Sequence, residues 1–245
     1  INQHSKNLIG GFTMTTIVYK NGTLATDTKL TLNQENLASS GDIIDGLLNN
    51  PETDEVDRGI LLRTLELING GVMSLHQDGK FIILDKEQQF RLHEDDTDNE
   101  VVAIAGVGNM LAFADFKNWI DGTNESLNEF WYRYNTRMIR DAENGTITYE
   151  QAFGALVELM FITKKGCYTW GINSNKEDCR DECYYPNNDQ LAIVMGSGAQ
   201  RFTDEIVYRI SVAEVACNHT PEELVKLAMK HDELTGGEVK TFIYH

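Results

Sequence analysis

Met14-Thr15-Thr16-Ile17-Val18-Tyr19-Lys20-Asn21-Gly22-Thr23-Leu24-Ala25-Thr26-Asp27 holds two short β-rich runs around Asn-Gly, the strongest two-residue hairpin signal. Two threonines head the first run and an aspartate ends the second. A threonine hydroxyl is a poor nucleophile at neutral pH. It becomes a useful one as the first residue of a chain, where its own α-amine can act as the base. Cleavage before Thr15 would create that arrangement, with Asp27 folded back beside it. Taken alone, the stretch equally fits an ordinary hairpin that starts with Thr-Thr.

Two further stretches lie far away in sequence. They are Ile193-Val194-Met195-Gly196-Ser197-Gly198-Ala199 and Asp232-Glu233-Leu234-Thr235-Gly236-Gly237-Glu238-Val239. Together with the Thr-Thr-Ile-Val…Ala-x-Asp start, these motifs resemble those of proteasome β-type subunits. They are similar above all to the short HslV-like members, phage- or bacteria-encoded, that begin Met-Thr-Thr-Ile. The resemblance covers residues 14–34 and 88–122 and is best over 191–244. It is poor over about 35–87 and 172–190, which read as insertions. The resemblance implies an α+β fold of N-terminal nucleophile hydrolase type, a four-layer αββα sandwich. Residues 14–245 form one domain on this reading, and residues 1–13 are an extension, a propeptide or an expression remnant.

The site residues follow from the resemblance. Thr15 supplies the hydroxyl nucleophile and the α-amine, whose unperturbed pKa of about 8 leaves a neutral fraction at pH 7. Asp27 orients the site, Ser197 hydrogen-bonds near the amine, and Asp232 and Thr235 complete the polar network. The backbone amide near Gly106 donates to the oxyanion. Each motif also has a plainer reading. An aspartate ending a strand forms turns, and Gly-Ser-Gly before a helix is a tight turn with an N-cap. The family also carries a lysine that lowers the nucleophile's proton affinity. Aligned before Phe90-Arg91-Leu92, its place falls on Gln88-Gln89, and Lys86, three residues earlier, or Lys80, further back, reaches the site only if a loop shifts the register. A glutamine there brings no charge to stabilise an alkoxide, so weak activity is expected, with a gain on Gln89→Lys.

Composition narrows the classes. A length of 245 residues allows one domain with a sizeable core. The net charge of −17 argues against sequence-independent nucleic-acid binding. No apolar run is long enough for a membrane span, and the first 13 residues lack a signal peptide's apolar centre, so the expected location is cytoplasmic. Four cysteines make no disulfide scaffold. Cys179 and Cys183, four apart, could share a helical face. No second pair or nearby histidine completes a zinc site, so no metal and no cofactor are expected. The sequons at Asn21, Asn124, Asn144 and Asn218 carry no weight without a secretory signal.

Along the chain, 35–59 reads as loop, and Ile60, Leu61, Leu65 and Ile68 give a helix stopped by Gly70-Gly71. Phe81–Leu84, Gln89–Leu92 and Val101–Ala105 read as strands. A helix follows with Met110, Phe113, Phe116, Trp119 and Ile120 on one side. A second begins at Glu125, with Leu127, Phe130, Trp131, Tyr134 and Met138 at helical spacing. Leu156–Thr163 and Cys167–Ile172 form a hairpin, Asn173–Asn188 a polar loop, and Leu191–Met195 a strand. Helices are expected over 199–213 and 221–231, the latter opened by Thr220-Pro221-Glu222-Glu223, a capping box with proline at the first position. Glu238–Tyr244 closes the chain as a strand.

Three functions compete. The resemblance implies a threonine peptidase acting on polypeptides inside a homo-oligomeric ring, with an ATPase unfoldase among the partners such rings take. The alternatives are an inactive assembly subunit, favoured by Gln88-Gln89, the long insertions and a Thr15 blocked by residues before it, and a small-molecule amidase of the same fold.

Overall fold

The Asn21-Gly22 turn folds as its sequence dictates. Asn21 and Gly22 have φ of 43° and 78°, the doubly positive geometry of a two-residue hairpin turn. The computed structural model describes residues 16–29, 80–120, 126–196, 218–232 and 235–244. The turn joins β1 (Thr16–Lys20) to β2 (Thr23–Asp27), in the register Ile17 opposite Thr26 and Tyr19 opposite Leu24. A side chain at Gly22 would meet the Tyr244 carbonyl at 2.8 Å, so the turn also needs glycine for contact with the C-terminal strand.

Among the described residues the strands form two antiparallel sheets. The second element group runs β3 (Phe81–Ile83), β4 (Val101–Gly108), α1 (Met110–Ile120) and α2 (Leu127–Trp131). A π-helical turn at Tyr132–Thr136 leads into α3 (Arg137–Glu143), α4 (Tyr149–Ala155), β5 (Val157–Thr163) and β6 (Gly166–Ile172). Then come β7 (Arg180–Pro186), β8 (Ile193–Gly196), α5 (Pro221–His231) and β9 (Val239–Ile243). The sheets have the orders β8-β1-β2-β9 and β3-β4-β5-β6-β7.

The alternation of side chains along each strand builds the layers. Ile17, Tyr19, Leu24 and Met195 from the first sheet meet Ala103, Ala105, Val107, Met160 and Ile162 from the second in one buried cluster. On the outer side of the first sheet, Val18 and Ala25 pack under Leu224 and Val225 of α5. On the outer side of the second, Ile104, Leu159 and Phe161 pack with Phe113, Phe116, Phe130 and Trp131. The result is the expected α+β fold, a four-layer αββα sandwich. Both sheets are covered on two faces, which is why β1 and β4 are apolar almost throughout rather than alternating.

Local chemistry sets the helix ends. Gly108 turns out of β4 at φ 95°, where a side chain would lie 2.5 Å from the Leu156 carbonyl. Asn109 then accepts the Ala112 N–H at 3.1 Å to start α1. Ser126 and Glu129 form a capping box at α2, and Thr220 and Glu223 form the expected one at α5, with Pro221 at its start. α4 was not legible from apolar period, yet Thr148 and Gln151 box its first turn reciprocally at 3.1 and 2.9 Å. In the π-helical turn, buried Asn135 exchanges two 2.9 Å hydrogen bonds with the backbone of Val157. Its amide thus stands in for a strand partner at the head of β5.

Three expectations are corrected. Residues 173–188 are not a loop throughout, because 180–186 pair with β6 as edge strand β7. Its polar residues mislead because they are used laterally. Arg180 lies 4.2 Å over the Trp170 ring, and Glu182 accepts from Trp170 Nε1 at 2.7 Å. Cys179 and Cys183 share no helical face: Cys179 sits at φ 53° in a turn, and Cys183 stands in β7 opposite Thr169. Gln89–Leu92 makes only a single bridge, from Phe90 to Val101. The expected helices within 60–70 and 199–213 lie outside the described residues, as do 1–13 and the loop at 35–59.

Candidate functional site

Asp27 ends β2 beneath the first residue of β1, and its carboxylate is fully buried. A buried carboxylate is stable only when its oxygens are satisfied. Oδ1 accepts the Thr16 N–H at 2.9 Å and Lys80 Nζ at 3.0 Å. Oδ2 accepts Lys80 Nζ at 3.1 Å and the Gly236 N–H at 3.1 Å. The lysine is as buried as its partner, each side chain at 0% exposure. Burial pushes the Lys80 ammonium below the ordinary lysine range, against the pull of Asp27 and, more weakly, Asp232, while Lys29 adds to the lowering.

The backbone of Lys80 explains how a lysine 53 positions away reaches this spot. Its N–H donates to Thr26 Oγ1 at 3.3 Å, and its carbonyl accepts from the Gly106 N–H at 3.3 Å. Lys80 therefore bridges the two sheets just before β3 begins, and its side chain runs into the gap at Asp27. Gln88 and Gln89 are engaged elsewhere. Gln88 Oε1 accepts the Asp85 N–H at 2.9 Å, and Gln89 Nε2 donates to the Leu84 carbonyl at 3.4 Å. Both belong to a turn in which Lys86 is exposed. The expected gain from Gln89→Lys has no basis in this geometry.

The second arm of the site comes from the segment after α5. Asp232 and Thr235 are both buried. Thr235 Oγ1 donates to Asp232 Oδ2 at 2.6 Å and lies 2.7 Å from Thr16 Oγ1. Residues 236–238 then wrap the end of β2. Lys29 N–H donates to the Gly236 carbonyl at 2.9 Å and Thr28 N–H to the Glu238 carbonyl at 3.0 Å. Glu238 N–H returns to Thr28 Oγ1 at 2.8 Å.

Of the residues expected from sequence, Asp27, Asp232 and Thr235 thus converge, from opposite ends of the chain, on Thr16. Thr15 and Ser197 lie outside the described residues. Thr15 is bonded to the amide nitrogen that Asp27 holds, and Gly196, which precedes Ser197, is the register partner of Thr16. The Gly106 amide, expected to serve an oxyanion, donates to the Lys80 carbonyl, and a side chain at Gly106 would meet the Phe113 ring at 2.3 Å. An oxyanion role would require that amide to exchange its partner. Thr16 was missed as a site residue, and Lys80 was named only as one of two lysines that a shift of register could bring in. The signal for Lys80 was present in Gly79-Lys80-Phe81, a lone cation immediately before an apolar strand.

Among the described residues no group of histidine, cysteine or carboxylate side chains could hold a metal ion, and no helix is long and apolar enough to cross a membrane.

No family model matches the chain, and no curated protein matches it. Among solved structures it is similar to Thiobacillus denitrificans BPH, at 14% identity and a TM-score of 0.43, over 95% of this chain and 98% of that one. The same protein in complex with epoxomicin gives 13% identity and 0.39 over the same shares. Eukaryotic HslV from Trypanosoma brucei gives 11% and 0.34, over 94% of this chain and 98% of that one. At these identities and scores the likenesses carry no argument about chemistry, which rests on the geometry of Asp27, Lys80, Thr16, Thr235 and Asp232.

Proposed function

We propose that the chain is a threonine-type peptidase subunit in which Thr15, once exposed by processing, is the nucleophile. The observation that carries this reading is the buried Lys80–Asp27 pair, whose carboxylate also holds the N–H of the residue next to Thr15. A buried ion pair is costly to build and weak as a source of stability, so its placement at a reactive threonine points to use in a reaction.

The chemistry follows from the residues. The Thr15 α-amine takes the hydroxyl proton as Oγ attacks a peptide carbonyl carbon, giving a tetrahedral oxyanion. Collapse expels the amine half of the substrate, which takes the proton from the α-ammonium. Water, deprotonated by the same amine, then releases the acyl half and restores Thr15. The Lys80 cation favours negative charge on the threonine oxygen during attack, and Asp27 keeps that cation in place. The inactive-subunit reading drew on a missing lysine, the long insertions and a blocked Thr15, and the buried Lys80 speaks against the first of these. We further propose that the subunit works on polypeptides in a closed homo-oligomeric ring of about six or more copies.

Intact-mass measurement establishes whether Thr15 is the first residue. With Thr15 free, a panel of fluorogenic peptides and small amides should show peptide turnover that Lys80→Ala lowers by about 10²–10³. Turnover of small amides alone, or peptide turnover indifferent to Lys80→Ala, would overturn the reading. A stable monomer by light scattering at micromolar concentration would overturn the ring.

A further inference from the structure

Thr16 is fully buried at the start of a strand whose next three residues, Ile17, Val18 and Tyr19, are buried apolar or aromatic side chains. A hydroxyl in such a place must find a partner or cost stability. It finds one 219 positions away, in Thr235. The direction of that bond follows from proton counting. Thr235 has one hydroxyl proton, and it goes to Asp232 at 2.6 Å. The Thr235 oxygen therefore accepts, and Thr16 donates at 2.7 Å. The chain Thr16 → Thr235 → Asp232 ends on a carboxylate, which shortens and strengthens both links. The Thr16 N–H meanwhile ends on the other carboxylate, Asp27.

We propose that Thr16 is the positioning residue of this site: its amide ties it to the Asp27–Lys80 pair and its hydroxyl to the Thr235–Asp232 pair, so two charged groups hold the peptide next to Thr15. These anchors add to the pairing of Thr16 with Gly196 of β8, and the hydroxyl bond fixes the side chain as well as the backbone. The two pairs are joined where the Gly236 N–H meets Asp27 Oδ2 at 3.1 Å, so a tilt of Thr16 strains both. The catalytic consequence rests on the reading of Thr15 as nucleophile; the structural one does not. Thr16 itself touches no substrate on this account. It acts through the geometry of its neighbour, where a misplacement of about 1 Å costs on the order of 10² in rate.

The test uses Thr16→Val, which keeps the shape and removes the hydroxyl, and Thr16→Ser, which restores it, both in the full protein with Thr15 first. Residue-resolved amide hydrogen exchange should show the residue-16 amide exchanging about tenfold faster in Thr16→Val, with Val18 and Tyr19 unchanged and Thr16→Ser close to wild type. Peptide turnover should fall by about 10–10² in kcat for Thr16→Val with KM nearly constant, and recover in Thr16→Ser. Thr235→Val removes that bond together with the one to Asp232, and serves if Thr16→Val does not fold. Adding Thr16→Val to Thr235→Val should change the residue-16 exchange little further. Wild-type exchange in both valine variants would overturn the proposal, as would Thr16→Ser behaving like Thr16→Val, or a loss confined to KM. If the wild type turns over no peptide, the peptidase reading fails, while the exchange measurements still decide the role of Thr16.

Discussion

Replacing Lys80 by methionine keeps the length of the side chain and removes the charge, leaving Asp27 at the bottom of the same fully buried site. Of the four hydrogen bonds on its carboxylate, the two from Nζ at 3.0 and 3.1 Å disappear. Those from Thr16 N–H at 2.9 Å and Gly236 N–H at 3.1 Å remain. Hydrogen bonds to charged groups contribute about 1.5–3 kcal/mol each, so the loss is roughly 3–6 kcal/mol. Breaking buried pairs by removing one partner costs a similar amount, about 3–5 kcal/mol. The two surviving amides hold the figure toward the lower end, because they still solvate the anion. Urea unfolding at pH 7 and fixed protein concentration should therefore show Lys80→Met lowering stability by about 3 kcal/mol. Adding Asp27→Asn should recover a good part of it, since the dominant cost is an uncompensated buried charge and not a lost contact. A cost for Lys80→Met below about 1 kcal/mol, the range of solvent-exposed pairs, would refute the buried pair. So would a double variant that is less stable than Lys80→Met alone.

Glu158 offers a pH test away from the site: burial raises its carboxyl above the ordinary glutamate range, against a single backbone hydrogen bond from Ile172 N–H at 3.2 Å. Its contribution is fully favourable below the unfolded pKa of about 4.5 and is lost as pH rises through the elevated folded value, so Glu158→Gln should raise stability at pH 7 and flatten the decline above pH 4.5 in a urea series. An unchanged slope would show that another group carries the dependence. Gly106→Ala should destabilise by about 1–3 kcal/mol, because the new carbon meets the ring of fully buried Phe113 at 2.3 Å. A drop in Tm of several degrees checks it, and wild-type Tm would mean that α1 yields freely.

Much of the frame was legible because its causes are local. Asn21-Gly22 needs two positive φ angles and takes them, and Thr220-Pro221-Glu222-Glu223 closes its own capping box whatever lies nearby. Apolar period marked α1, and Phe130, Trp131 and Tyr134 marked the helical run through the π-helical turn. Where polar residues act laterally, the pattern failed. Arg180 and Glu182 of β7 are spent on Trp170, so an edge strand read as loop. Tyr149–Ala155 differs in that it lacks a clear apolar period, so its legible signal is the Thr148–Gln151 box alone.

The sequence by itself determined the hairpin, the caps and the acidic and hydroxyl residues from which a site could be assembled. Asp27, Asp232 and Thr235 stood out because the motifs that hold them resemble those of one family. Which lysine joins them was decided only by the tertiary structure. Lys80, Lys86 and any other surface cation look alike to a local reading, because ionic burial depends on what the opposite layer places within about 3 Å. Only the stacking of the two sheets, with Lys80 held between Thr26 of one and Gly106 of the other, buries its ammonium against Asp27. The same holds for Thr16, whose hydroxyl has no partner near it in sequence and acquires its role when the segment after α5 brings Thr235 across 219 positions.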